Sequence, residues 1–248
     1  RFRGNLRTVY LLSLLPAGIL LMRASSSFPN AVEDYYSNGV NKLTIEMLNG
    51  ISGATHFSIA ELILICLAII ITYVIIHATF VLLMKKTINA TGYILRILSS
   101  ISVLYFGFVL LWGLNYYRLP FADLAHLQVR PSSVPELAGV CAKIIDRANA
   151  LREQVIECED GVMRARESKS YLFGHAAAGY QEAAKKIPAL GGSYGRPKGV
   201  ILSKVLSYLG ISGVYFPFTG EANVNTLLPD ALLPSTICHE LEIGRAHV

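Results

Sequence analysis

The sequence predicts an α-helical membrane anchor of two to three spans over residues 1–117, followed by a mainly helical α+β domain over residues 118–241 that lies outside the membrane. Three observations carry this. The hydrophobic fraction of 53% and the mean hydropathy of +0.46 are high for a soluble domain. The apolar residues are gathered into long runs before Tyr117. Beyond it the pattern changes to helical periodicities punctuated by Gly and Pro.

The clearest span is residues 58–84, an almost uninterrupted apolar run that at about 1.5 Å per residue more than crosses a hydrocarbon core of about 30 Å. A second lies at about 95–117 and ends in Trp112, Tyr116 and Tyr117, whose amphipathic rings suit the headgroup level. The N-terminal segment, about 8–22, is shorter, contains Pro16 and follows Arg1, Arg3 and Arg7. It reads as an uncleaved first span, with a signal peptide as the alternative, because no small-x-small cleavage site is convincing.

Orientation follows from the cations. Arg1, Arg3 and Arg7 precede the first span and Lys85, Lys86 and Arg96 fill the link between the other two, whereas the 24–57 loop holds Glu33, Asp34 and Glu46 against Lys42. The positive-inside rule then puts the N-terminus and the 85–96 link in the cytoplasm and everything after Tyr117 outside. The net charge of +5 lies in these membrane flanks, and no basic-aromatic stripe follows, so the bilayer is the expected partner and nucleic acid is not. Of four Cys, Cys66 sits in a span, and Cys141, Cys158 and Cys238 form no C-x-x-C pair. Isolated thiols are the commoner arrangement, with a Cys141–Cys158 disulfide as the alternative.

In the outer domain, Leu137, Val140, Cys141, Ile144, Ile145, Ala148, Leu151 and Val155 recur at three and four and predict an amphipathic helix, opened by a capping box from Ser133 to Glu136. A second helix is predicted from Ser168 to Lys186, stopped by Ile187-Pro188. The Gly191-Gly192-Ser193-Tyr194-Gly195 stretch lacks the G-K-[ST] ending of a nucleotide loop and reads as a turn. Residues 199–209 are ambiguous between helix and strand. Residues 210–218 read as an edge strand because of Pro217, residues 222–224 as a short extension, and Pro234-Ser235-Thr236 as a helix start.

That last helix carries Cys238-His239-Glu240-Leu241. A zinc protease of the zincin type needs H-E-x-x-H on one helix, because two His four apart grip Zn²⁺ from one face while the Glu activates its water. Only the first half is present. Ile243 stands where the second His is required, and Glu242 puts a charge where such helices carry an uncharged residue. His247 lies too far along to share the ion without a bend at Gly244. In zincins an edge strand precedes the metal helix and pairs with the substrate backbone, which gives residues 215–225 that role, with an ordinary sheet edge as the alternative.

NYYRLP at 115–120, GGSYGRPK at 191–198 and SGVYFPFTGEANVNTLLPDALLPSTICHEL at 212–241 resemble an uncharacterised bacterial family of zincin-like membrane proteins, domain of unknown function 3810. The resemblance covers most of the chain through Leu241 and implies a multi-pass protein of the bacterial cytoplasmic membrane with its C-terminal domain extracytoplasmic. It implies hydrolysis of a peptide or protein substrate at zinc, with His239 as first metal ligand and Glu240 as general base. In that family the text after CHEL resembles A-H-Q, with an acidic third ligand downstream. Residues 242–248 depart from it and resemble a translated sequencing adapter, so a reading frame truncated within the motif is expected, leaving the outer domain incomplete at its C-terminus and the fragment inactive. Glu221, Asn223 and Asn225 read either as cleft-shaping residues or as turn and strand caps. The competing function is a noncatalytic membrane protein whose outer domain binds a ligand or partner.

Overall fold

A computed structural model describes residues 2–84 and 90–245. Its helices are α1 (Phe2–Ser25), α2 (Pro29–Ala31), α3 (Lys42–Gly53), α4 (Ile59–Leu83), α5 (Ala90–Leu111), α6 (Phe121–Leu124), α7 (Val134–Arg152), α8 (Lys169–Ala184), α9 (Ser203–Tyr208) and α10 (Leu233–Arg245). A π-helical stretch, Val32–Asn41, joins α2 to α3, and 3₁₀ turns follow α5 at Gly113–Tyr117 and α8 at Pro188–Leu190. The strands are β1 (Ile156–Glu157), β2 (Met163–Arg164), β3 (Lys198–Val200), β4 (Gly213–Phe216) and β5 (Glu221–Asn225). The chain is mainly helical with two small sheets.

Among the described residues three helices are long and apolar enough to cross a membrane, over Leu6–Ser25, Ile59–Val81 and Thr91–Leu111. The first is longer at both ends than the sequence predicts, with Pro16 inside its helix. The third ends at Leu111 rather than 117, because the chain tightens into the 3₁₀ turn that carries Tyr116 and Tyr117. Helices α1 and α5 pack together and run parallel: Gly18 meets Tyr105 and Phe106, while Arg7 shares a groove with Arg96. Lys85 and Lys86 of the predicted cytoplasmic link lie outside the described residues.

The expected loop at 24–57 is instead helical through most of its length. Its inward face is polar, which hides it from hydrophobic periodicity. Glu33, Ser37, Asn41 and Ile45, each four apart, are buried, and a π-turn with its i→i+5 bonds keeps such residues on one side. They meet the end of α5 and the turn after it. Ser37 Oγ donates to Asn115 Oδ1 at 2.7 Å, Asn41 Nδ2 to the Leu111 carbonyl at 2.6 Å, and Tyr36 OH to the Leu110 carbonyl at 3.0 Å. The last two satisfy carbonyls that a helix C-terminus leaves orphaned. Arg118 closes the set with a two-pronged ion pair to Glu33, Nη2 to Oε1 at 2.6 Å and Nε to Oε2 at 2.9 Å, both side chains buried.

The three-stranded sheet has order β3-β5-β4, with β3 parallel and β4 antiparallel to β5. Strand β5 is therefore central, not an extension of an edge strand; β4 is the edge, as Pro217 predicts. Residues 199–209 resolve into both alternatives, β3 and then α9. Period-two alternation gives β5 two unlike faces. Ala222 and Val224 form the apolar core with Leu233, Ile237 and Leu241 of α10, backed by Leu172, Phe173, Ala176 and Tyr180 of α8. Glu221, Asn223 and Asn225 point the other way, all buried.

That polar face fastens the sheet to the start of the second apolar helix. The Glu221 carboxylate accepts the Ile59 N–H at 3.0 Å, the Ala60 N–H at 2.7 Å and the Thr219 hydroxyl at 2.9 Å. Ser58 Oγ donates to Asn223 Oδ1 at 2.6 Å and accepts from the Glu61 N–H at 2.9 Å. Glu61 returns the exchange by accepting the Ile201 and Leu202 amides at 3.0 and 2.6 Å. Lys198, buried in β3, donates from Nζ to the Ser52 carbonyl at 2.8 Å and to the Thr55 carbonyl, closing the end of α3. Burial pushes its ammonium below the usual lysine range.

Helices α7 and α8 form where predicted, α7 with the Ser133–Glu136 capping box intact. The apolar stripe of α7 stays exposed, however, including Leu137, Ile144 and Leu151. Gly161 turns the β1–β2 hairpin at φ +73°. Cys66, Cys141, Cys158 and Cys238 are free thiols.

Candidate functional site

Helix α10 starts after the Pro229 turn, where Ser235 Oγ and Thr236 Oγ1 both donate to the Leu232 carbonyl. Its buried face is Leu233, Ile237, Glu240, Leu241 and Gly244. His239 therefore falls on the exposed flank, one residue ahead of the buried Glu240. Both line an open cleft between α10 and the start of β4, together with Ile211, Ser212, Gly213, Ser235 and Thr236.

The close approach of helix and strand rests on Gly213. A Cβ at that position would lie 2.6 Å from Glu240 Cγ and Oε1, so only glycine lets the carboxyl lie on the strand backbone. Burial pushes the Glu240 carboxyl up to about 7, opposed in part by a backbone hydrogen bond from Tyr215. Near neutral pH it is thus shared between acid and carboxylate, the condition a proton-transfer group needs. One turn on, the Tyr215 ring lies against Gly244.

The C-terminal half of α10 is held by the segment that follows α5. Trp112 Nε1 donates to the Ile243 carbonyl at 2.9 Å and Arg118 Nη1 to the Arg245 carbonyl at 2.8 Å, so the NYYRLP segment supplies a cation at the negative end of the helix dipole. Tyr180 OH donates to the Cys238 carbonyl at 2.7 Å. The 191–195 stretch is not a nucleotide loop but the irregular wall against which α10 ends: Arg245 Nη2 donates to the Gly191 carbonyl at 2.9 Å. Gly192 sits there at φ +144°, a conformation L side chains rarely adopt, with the Arg245 guanidinium in the place a Cβ would take. Burial also raises the carboxyl of Glu242, whose Oε2 accepts from Tyr194 OH at 3.3 Å.

These contacts favour backbone over side chains. The carbonyls of Ile243 and Arg245 are satisfied, yet Glu242 Oε1 and Arg245 Nη1 are buried without a hydrogen-bond partner among the described residues, as are Asn115 Nδ2 and Tyr215 OH.

A catalytic zinc takes three protein ligands. Here one imidazole, His239, faces the cleft, Ile243 follows one turn later, and among the described residues no three of His, Cys, Asp and Glu come together as a metal site. The residues present do not fit the ion. His247 lies outside the described residues.

Of the residues singled out from sequence, His239 and Glu240 share the cleft. Glu221, Asn223 and Asn225 do not reach it: the first two cap and bind the start of α4, and Asn225 Nδ2 donates to Ser207 Oγ and the Ile211 carbonyl. Their partners in α4 lie about 160 positions away, at |i−j| of 162 and 165, so no local pattern pairs them. Gly213 and Tyr215, missed from sequence, complete the site; the SGVYF run marks their strand but not their contacts with Glu240 and Gly244.

No curated protein and no solved structure matches the chain. The profile described as protein of unknown function (DUF3810) matches residues 36–247, from the π-helical stretch through α10, and the chain belongs to that family.

Proposed function

We propose that the DUF3810 domain is the peptidase domain of a membrane-anchored, zincin-like enzyme, and that this chain keeps the groove for an extended peptide without the hydrolytic centre. One observation carries the reading: His239 and Glu240 line a cleft beside β4, whose outer edge has no strand partner among the described residues. An unpaired antiparallel edge is what a peptide backbone adds to by β-augmentation, and its path along β4 leads over His239. First zinc ligand for His239 and general base for Glu240 are roles in a parent sequence with His at position 243 and a further ligand. The cation distribution supports a cytoplasmic N-terminus in a bacterial membrane, with the cleft on the outer side.

A second reading, a noncatalytic binding domain, is favoured by Ile243 and the lack of a ligand cluster among the described residues. That reading leaves the ligand or partner open, and the two part at the metal. A fluorescent peptide library titrated onto the purified chain tests the groove. Binding without cleavage, reduced about tenfold or more when alternate peptide amides are N-methylated, is expected. Binding indifferent to N-methylation, or cleavage by this chain, refutes the proposal.

A further inference from the structure

We propose that the groove between α1 and α5 is a binding site for an anionic glycerophospholipid, with the phosphate between Arg7 and Arg96 and an acyl chain along Leu11, Val103 and Leu104. All five residues line this groove, with Ser99 in its wall. Because the helices run parallel, the two arginines lie at one end of the groove and the three apolar residues deeper along it. Such a gradient, cationic at the headgroup level and apolar within the bilayer, matches a lipid along its length.

Charge makes the site selective. The sequence has no Asp or Glu in residues 1–32 or 62–122, so neither helix, nor the link before α5, carries a carboxylate to neutralise the arginines. Among the described residues neither Arg7 nor Arg96 forms a salt bridge; Arg96 lies over the Tyr93 ring at 6.0 Å. Arg118, by contrast, is fully engaged by Glu33 and the Arg245 carbonyl. Guanidinium groups bind phosphate through paired N–H donors, and basic pockets between membrane helices bind anionic headgroups. A free phosphate would leave the apolar half of the groove empty, whereas a phospholipid fills both halves.

Native mass spectrometry of the detergent-purified chain, titrated separately with phosphatidylglycerol and phosphatidylcholine, tests this. Phosphatidylglycerol is expected to bind about tenfold or more tightly, the preference collapsing in Arg7→Gln/Arg96→Gln and persisting in Arg23→Gln, which changes a cation at the far end of α1. Glycerol phosphate should not compete. Equal binding of the two lipids, an undiminished preference in the double variant, or displacement by glycerol phosphate overturns the proposal. Should the double variant fail to fold, a photoactivatable acyl chain on phosphatidylglycerol decides with the unaltered protein: labelling at Leu11, Val103 or Leu104 is expected, and labelling confined elsewhere refutes the site.

Discussion

Replacing Glu221 separates a structural clamp from a cleft residue. Its carboxylate is 1% exposed and accepts the Ile59 and Ala60 amides and the Thr219 hydroxyl. Glu221→Ala takes this acceptor from two buried donors, the Ala60 amide and the Thr219 hydroxyl, and from the half-buried Ile59 amide. Each orphaned buried group costs about 1–3 kcal/mol, and loss of a helix N-cap alone about 1 kcal/mol, so the expected destabilisation is about 3 kcal/mol. Glu221→Gln keeps the volume and one acceptor but turns an NH₂ toward a second donor, for an expected loss of about 1–2 kcal/mol. Unfolding in mixed micelles, read with hydrogen exchange by mass spectrometry, measures both. Exchange at Ile59 and Ala60 should accelerate by about a hundredfold in the Ala variant, in line with about 3 kcal/mol of lost protection. An Ala variant within about 0.5 kcal/mol of the parent, with those amides unchanged, refutes the clamp.

Arg118→Met takes a cation from the buried Glu33 carboxylate, which keeps the Asn38 amide, and removes a donor from the Arg245 carbonyl; a loss of about 3 kcal/mol is expected, largely recovered in Glu33→Leu/Arg118→Met, as denaturation of the single and double variants would show. Gly213→Ala drives a Cβ into Glu240; a cost of about 1–3 kcal/mol should fall by at least about 1 kcal/mol when Glu240 is Ala, and additive effects would contradict the packing. The raised carboxyl of Glu240 binds its proton more tightly in the folded state. Its contribution to stability is therefore full below pH of about 4.5 and lost as pH rises toward about 7, and the raised Glu242 adds in the same direction. Thermal melts should show Glu240→Gln stabilised relative to the parent at pH 8 and little changed at pH 4.5; equal shifts at both would refute the assignment.

The long apolar helices were legible because their signal is bulk composition, and α7 and α8 because a capping box, apolar spacing and an X-Pro stop are local. What escaped is long-range or polar. The 29–53 helices bury Glu33, Ser37 and Asn41, a face that sequence reading takes for solvent-exposed, because its partners Asn115 and Arg118 come from beyond α5. The FTGEANVN run stands out as a motif, yet its meaning lies in the amides of Ile59 and Ala60, which any residue there presents. Periodicity found the apolar stripe of α7 correctly, but a stripe says only that a helix has a face, and among the described residues that face stays uncovered. His239 and Glu240 were legible through chemistry; the glycine that seats Glu240 was not, since close backbone approach depends on which strand lies opposite.

Zinc per chain is the decisive quantity. The source gene is read through and past the codon for Leu241, the protein it encodes is expressed, and its metal content is taken by elemental analysis alongside its His239→Ala variant. We predict His at position 243, about one zinc per chain, and its loss in the variant. A genuine Ile243 with no zinc retained would contradict the peptidase reading and leave the α10 cleft a binding site alone.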